Sequence, residues 1–167
     1  MIEVRIETSA DRDAVRRVHE AAFGQREEAD LVDRIRDRAA RYLGLVAVEA
    51  GEVVGHIAFS PVTVDGSDVV ALGLAPMAVR PDRQRAGVGA ALVRAGLAAC
   101  REAGAEAVFV LGHPAYYPRF GFAPAAGRGV GNEYDAPPDA FLVVELVSGA
   151  LDGAGGTARY DPALAGG

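Results

Sequence analysis

"RPDRQRAGVGAALVRAGLAAC", residues Arg80 to Cys100, decides the fold of this 167-residue chain. Arginines and a glutamine precede two closely spaced glycines, Gly87 and Gly89. Val88, Ala91, Leu92, Ala95, Leu97 and Ala98 then follow at helical spacing, and Gly104 marks the stop. The start of a helix leaves backbone N–H groups unpaired and carries a partial positive charge. Glycines there let an anion reach those donors without meeting a Cβ. Arg83 and Arg85 add full charges. The stretch therefore predicts a metal-free cradle for a pyrophosphate. Three rival roles fit less well. A dinucleotide turn needs G-x-G-x-x-G directly after its strand, but seven residues separate Val79 from Gly87 and the third position is Leu92. A Walker loop needs a lysine, and all 17 basic residues are arginine. Plain helix–strand packing accounts for the glycines but not for the Arg-Gln-Arg run.

Working outward, "ALGLAPMAV" (71–79) reads as a strand before the turn, and the apolar run at 106–112 as a buried parallel strand after the helix. Together they form a βαβ unit. Upstream, "MIEVRIET" alternates as a strand, and two amphipathic helices follow around 10–22 and 26–40. Residues 42–79 predict three antiparallel strands with glycine turns at "EAGE" and "VDGSD". Downstream come the turn "YYPRFGFAPA", a Gly/Pro loop and the strand "AFLVVELV". The organisation expected is one domain over 1–147. A Gly/Ala-rich tail over 148–167 packs on it, held by Tyr160 and Leu164, with a short strand at Thr157–Tyr160.

Half the residues are apolar and 24% are charged, ordinary for a globular chain. No run approaches ~20 apolar residues, so no membrane span or membrane partner is expected. The charged N-terminus lacks the apolar core of a signal peptide, which makes the cytoplasm the expected location. Net charge is −6, against nucleic-acid binding. One cysteine, Cys100, and three scattered histidines predict neither a disulfide framework nor a metal site.

"MAVRPDRQRAGVGAALV" resembles the acetyl-CoA motif of the GNAT N-acetyltransferase superfamily, with Gln84, Gly87 and Gly89 at its signature positions. "LGHPAYYPRFGFAPA" resembles the segment that follows, in which a tyrosine lies four residues before Gly-Phe; Tyr117 holds that place before Gly121–Phe122. "YYPRFGF" is similar to the YhbS-like branch. The match is strongest over 70–125. The resemblance implies an α/β fold whose sheet has six or seven mostly antiparallel strands, splayed between two central parallel strands and with helices on both faces. It implies acetyl-CoA as co-substrate. The pyrophosphate would meet the amides of Arg85, Ala86, Gly87, Val88, Gly89 and Ala90. The pantetheine arm would pair with the open edge at Met77, Ala78 and Val79, where Pro76 marks an edge or bulge. His113, Tyr116 and Arg119 would complete the cofactor contacts, Arg119 toward the adenosine 3′-phosphate.

Acyl transfer to an amine needs the amine deprotonated, a donor for the oxyanion and a proton for the leaving thiolate. Tyr117 is expected to supply that last proton, with Tyr116 its competitor, and a backbone N–H near Ala78 to be the oxyanion donor. The glutamate that many relatives carry on the strand before the loop is missing, so the base is open among Glu20, Glu27, Glu28, His19 and water. Glu20 and Glu28, with Glu133 and Asp135, are expected to wall the acceptor site and favour a cation. His56 reads as a hydrogen-bonded sheet residue. The partner expected is a small-molecule or peptide amine, the chain acting as monomer or homodimer. Without the strand carboxylate, a non-catalytic acyl-CoA sensor is the alternative.

Overall fold

The computed structural model describes residues 1–165. The chain begins with β1 (Ile2–Ile6), α1 (Arg12–Phe23) and α2 (Glu27–Arg38). Three long strands follow: β2 (Leu43–Glu49), β3 (Glu52–Val64) and β4 (Ala71–Val79). The hairpin turns between them use left-handed Gly51 and Gly66. After β4 come α3 (Val88–Glu102) and β5 (Ala107–Leu111), then short strands β6 (Ala123–Pro124) and β7 (Gly131–Asn132). β8 (Phe141–Glu145), β9 (Thr157–Tyr160) and the single turn α4 (Pro162–Ala165) end the described chain.

The main path of the sheet runs β1-β2-β3-β4-β5-β8-β6, with β9 pairing β3 and β7 off that path. Of the pairs along the path only β4–β5 is parallel. The path has the expected seven strands; β7 and β9 bring the total to nine among the described residues. The segment after Ser148 is thus woven into the sheet through β9. Leu151, Ala154, Ala158 and Tyr160 are buried in one of its hydrophobic clusters.

The helices divide between the two faces. α3 lies on one: a Cβ on Gly55 would meet Leu92 and Val88, and one on Gly96 would meet Phe59, each within 3 Å. Leu72, Leu74, Val108 and Val110 complete that core. α1 and α2 cover the opposite face, where Val15 and Val32 pack on Val46. Burying whole side chains of this size contributes roughly 1.5–3 kcal/mol each. That is enough to hold both helix layers on the sheet and to fix where the start of α3 stands.

β4 and β5 pair only from Ala71↔Ala107 to Leu74↔Val110. Beyond that point the strands part. The Ala75–Pro76 peptide is cis, and between Ile57/Phe59 of β3 and Met77/Leu74 of β4 the register shifts by one residue. Proline cannot donate a ladder hydrogen bond, so the break between the two parallel strands falls where one donor is missing.

Candidate active site

The last three residues of β4 have a free side. The Arg80 N–H donates to the Val54 carbonyl (2.8 Å), and residues 55–57 face 79–77 in order. Antiparallel pairs alternate between bonded and non-bonded. The backbone of Ala78 therefore points at His56, while the N–H and C=O of Met77 and Val79 point into the gap left by β5. Near Ala78, the backbone donors that face the gap belong to Met77 and Val79. Gln84 reaches back to the Val79 carbonyl (3.1 Å) and ties the loop to the strand.

The glycine turn lies at the end of this edge. Arg85 and Gly87 both have positive φ, 65° and 86°. Gly87 caps α3, whose first internal bond runs from the Ala91 N–H to the Gly87 carbonyl (3.0 Å). The amides of Val88, Gly89 and Ala90 precede it and have no intrahelical acceptor. A Cβ on Gly89 would stand 3.0 Å from the Tyr116 hydroxyl. The glycine thus permits close approach of tyrosine and helix start.

A cleft of about 470 Å³ results. Its lining gathers Met77, Ala78, Val79, Gln84, Arg85, Gly87, Gly89, Ala90, Tyr116 and Arg119, which the sequence disperses over 43 positions. Arg119 lies over the Tyr116 ring (4.6 Å) and donates to the Tyr116 carbonyl (2.9 Å). A pantetheine arm, which carries amides, and a pyrophosphate both fit this set: open strand edge first, free helix amides and Arg85 at its end.

Other expected residues stand elsewhere. Val88 is buried against Gly55, so only its amide can serve. Ala86 is exposed and not in the lining. His113 is exposed and uses Nδ1 to accept from the Ala115 N–H (3.1 Å), closing a local turn. Arg83, expected at the phosphates, pairs with Glu49 (2.5 Å).

Tyr117 and Tyr116 take opposite surroundings. Tyr117 is buried in the α3-side core, its ring against Gly112 and edge-on to Phe122. Burial, and behind it the neighbouring Tyr116, pushes its phenol up to about 12. Tyr116 lines the cleft. Cys100 is buried on α3, outside the lining of the cleft, its thiol pushed up to about 12 by burial.

The acids expected around the acceptor are engaged by other groups. Glu20 pairs with Arg16 (3.6 Å) and Glu28 accepts from Gln25 (3.0 Å). Glu133 accepts from the Tyr160 N–H (2.9 Å). Neither the cleft nor the pocket behind it (Leu74, Ala75, Leu111, Tyr134, Tyr160, Leu164 and Ala165) is lined by Asp, Glu or His. His19 is instead fully buried, its Nε2 at 2.9 Å from His56 Nδ1. His56 Nε2 in turn lies 2.7 Å from Glu7 Oε1, which also accepts from the Tyr42 hydroxyl. Arg36 donates to the other Glu7 oxygen (2.8 Å). Burial alone would raise the Glu7 carboxyl, but the bonds from His56 and Tyr42 and the charge of Arg36 hold it at about 2. Ionised Glu7 makes His56 Nε2 the protonated nitrogen, so His56 Nδ1 accepts from His19 Nε2–H. Sequence reasoning singled out His19 and His56 separately and missed Glu7, Tyr42 and Arg36; Gly44, where a Cβ would collide with Glu7, was the available signal.

Among the described residues, no group of three His, Cys, Asp or Glu is disposed to hold a metal, and no helix is long and apolar enough to cross a membrane.

Residues 3–125 match the family described as "Acetyltransferase (GNAT) domain". The uncharacterized N-acetyltransferase YhbS of Escherichia coli K12 is 37% identical over 158 residues, 94% of this chain and 95% of that protein. The 1.55 Å crystal structure of YhbS from Escherichia coli in complex with CoA matches with a TM-score of 0.91 at 35% identity, covering 99% of this chain and 92% of that one. A GNAT family acetyltransferase from Brucella melitensis, solved in complex with acetyl-CoA, matches with a TM-score of 0.72 at 38% identity over 87% of this chain and 88% of that one.

Proposed function

Because this chain belongs to the GNAT acetyltransferase family and is an acyltransferase with acetyl-CoA as co-substrate, we propose that it acetylates a primary amine by direct attack, without an acyl-enzyme. The observation that carries this reading is the unpaired edge of Met77–Val79 running into the free amides at the start of α3. Acetyl-CoA supplies an activated acyl carbon and a thiol leaving group. The amides at 88–90 and the Arg85 guanidinium hold the pyrophosphate. The N–H groups of Met77 and Val79 are the donors available to the pantetheine and to charge developing on the acyl oxygen.

Tyr117 is the proposed acid. With its phenol at about 12 it keeps its proton at neutral pH. The burial that raises the phenol raises a thiolate in the same place, so the two remain matched. A C–N bond forms and the thioester C–S bond breaks. The phenol proton goes to sulfur and is regained from water, and the surplus amine proton leaves to solvent. No carboxylate or imidazole lines the split to take that proton, so the amine enters uncharged. The buried Cys100 thiol stays protonated, which supports direct transfer.

Thiol release from acetyl-CoA, measured against a panel of primary amines, tests the proposal. Turnover with at least one amine, dependent on Tyr117, is the expected result. Tight acetyl-CoA binding with no turnover on any amine overturns it.

A further inference from the structure

On the face of the sheet opposite α3, a second cavity opens at the point where β4 and β5 separate. It measures about 260 Å³ and is lined by Leu74, Ala75, Leu111, Tyr134, Tyr160 and Leu164 among others. Leu74 is the last residue of β4 to pair with β5, and Leu111 ends β5. The cofactor cleft is lined by Met77–Val79 of β4 and this pocket by Leu74 and Ala75, so the two adjoin along β4 on either side of Pro76, one toward the start of α3 and one toward β9.

Two observations say what fits. The walls are aliphatic and aromatic, and two of them, Leu111 and Tyr134, are large apolar side chains left exposed at the surface. Tyr160 lies across Gly73, where a Cβ would collide with its ring, and is 8% exposed. Its hydroxyl is buried and has no partner. A buried phenol without a partner is destabilising, and of the two hydroxyls on the pocket wall, Tyr134 and Tyr160, it is the buried, unpartnered one. Burial, then the nearby Tyr134, Glu133 and Tyr117, keep this phenol protonated, a neutral donor.

We infer that this pocket receives the apolar side chain of an α-amino acyl acceptor, with the Tyr160 hydroxyl donating to the carbonyl beside the reacting amine. The inference rests on the transfer reading above and narrows it. An amine that must arrive uncharged favours an α-amino group, with pKa near 8, over an alkylamine with pKa near 10. An apolar wall disfavours a polycation. The acidic acceptor wall expected from Glu20, Glu28 and Glu133 gives way to a neutral one.

Calorimetry on the complex with CoA, which cannot react, tests the pocket apart from the chemistry. The probes are phenylalaninamide, phenethylamine (the same amine without the carbonyl) and spermidine. Phenylalaninamide is expected to bind more tightly than the other two. Tyr160→Phe, which removes only an orphaned hydroxyl and should not harm folding, is expected to weaken phenylalaninamide by about 10-fold and leave phenethylamine unchanged. Leu111→Glu at the exposed rim should weaken both aromatic amines. Absence of phenylalaninamide binding, equal binding to Tyr160→Phe, or preference for spermidine overturns the inference. Phenylalaninamide that binds as described but releases no thiol from acetyl-CoA, with no other amine active, overturns the transfer reading and leaves the pocket standing.

Discussion

The hydroxyl of Tyr116 stands 3.0 Å from the point where a Cβ on Gly89 would be. Helix start and tyrosine thus close on the cleft with no room for a side chain between them. Gly89→Leu is expected to abolish the heat of acetyl-CoA binding while the far-ultraviolet circular dichroism stays native. Gly87 fails differently: nothing lies near its Cβ, but its φ of 86° costs an L-residue roughly 1–2 kcal/mol. Gly87→Ala should therefore lower the melting temperature and weaken binding only in part.

Tyr117→Phe removes a proton and keeps a ring that packs on Gly112 and Phe122. Turnover should fall by about 10²-fold, the low end for a lost general acid. Acetyl-CoA affinity by calorimetry should stay within twofold. Tyr116→Ala should show the converse, weaker binding of the cofactor, since Tyr116 lines the cleft and carries Arg119.

No carboxylate or imidazole lines the cleft or the second pocket, and the proposed route takes an amine that has lost its proton in bulk water. The logarithm of kcat/KM is expected to rise with a slope of one up to the pKa of whichever amine is used, and to follow that pKa when the amine is changed. A plateau fixed near one pH for all amines would instead mark a base on the protein.

Acid should destabilise the fold well above the usual carboxylate range. Burial holds His19 neutral, its pKa lowered to about 3, and lowers His56 as well. Unfolded histidines titrate near 6.5, so below that pH the unfolded chain binds protons that the folded chain refuses. The stability is complete above about pH 6.5 and is lost as pH falls, at up to about 1.4 kcal/mol per pH unit for each histidine. Glu7, held at about 2 against 4.5 unfolded, adds a loss of the same sign as pH falls from 4.5. Urea unfolding between pH 8 and 4 checks this, and His19→Phe should flatten the slope by one histidine's share.

Glu7 accepts from His56, Tyr42 and Arg36 at once. Glu7→Ala leaves the Arg36 guanidinium, only 14% exposed, with Asp33 as its remaining carboxylate partner and should cost about 3 kcal/mol, the low end for a broken buried pair. Thermal unfolding is expected to shift down by roughly 10 °C, with kcat near native if the network serves only the fold.

Much of the cleft was legible from local signals. A glycine in the left-handed region, a helix start and a proline that cannot pair are properties of short segments. "RPDRQRAGVGAALV" therefore announced the turn, its cap and the direction of the following helix. The alternation of the strands placed β2, β3 and β4 with their turns. The neighbouring Tyr116 and Tyr117 were less separable, because a one-residue step on a tight turn sends one ring to the cleft and the next into the core.

By itself, then, the amino-acid order determined the class of fold, the glycine turn before α3 and the open strand edge, since each depends on backbone conformations that a few adjacent residues impose. Tertiary structure alone decided the rest. Glu7 meets His56 across 49 positions, and the acceptor pocket joins Leu74, Leu111, Tyr134, Tyr160 and Leu164. Packing made a tail tyrosine into a wall of the pocket. Those outcomes depend on which faces of the sheet the helices and β9 cover, and distance along the chain carries no record of that.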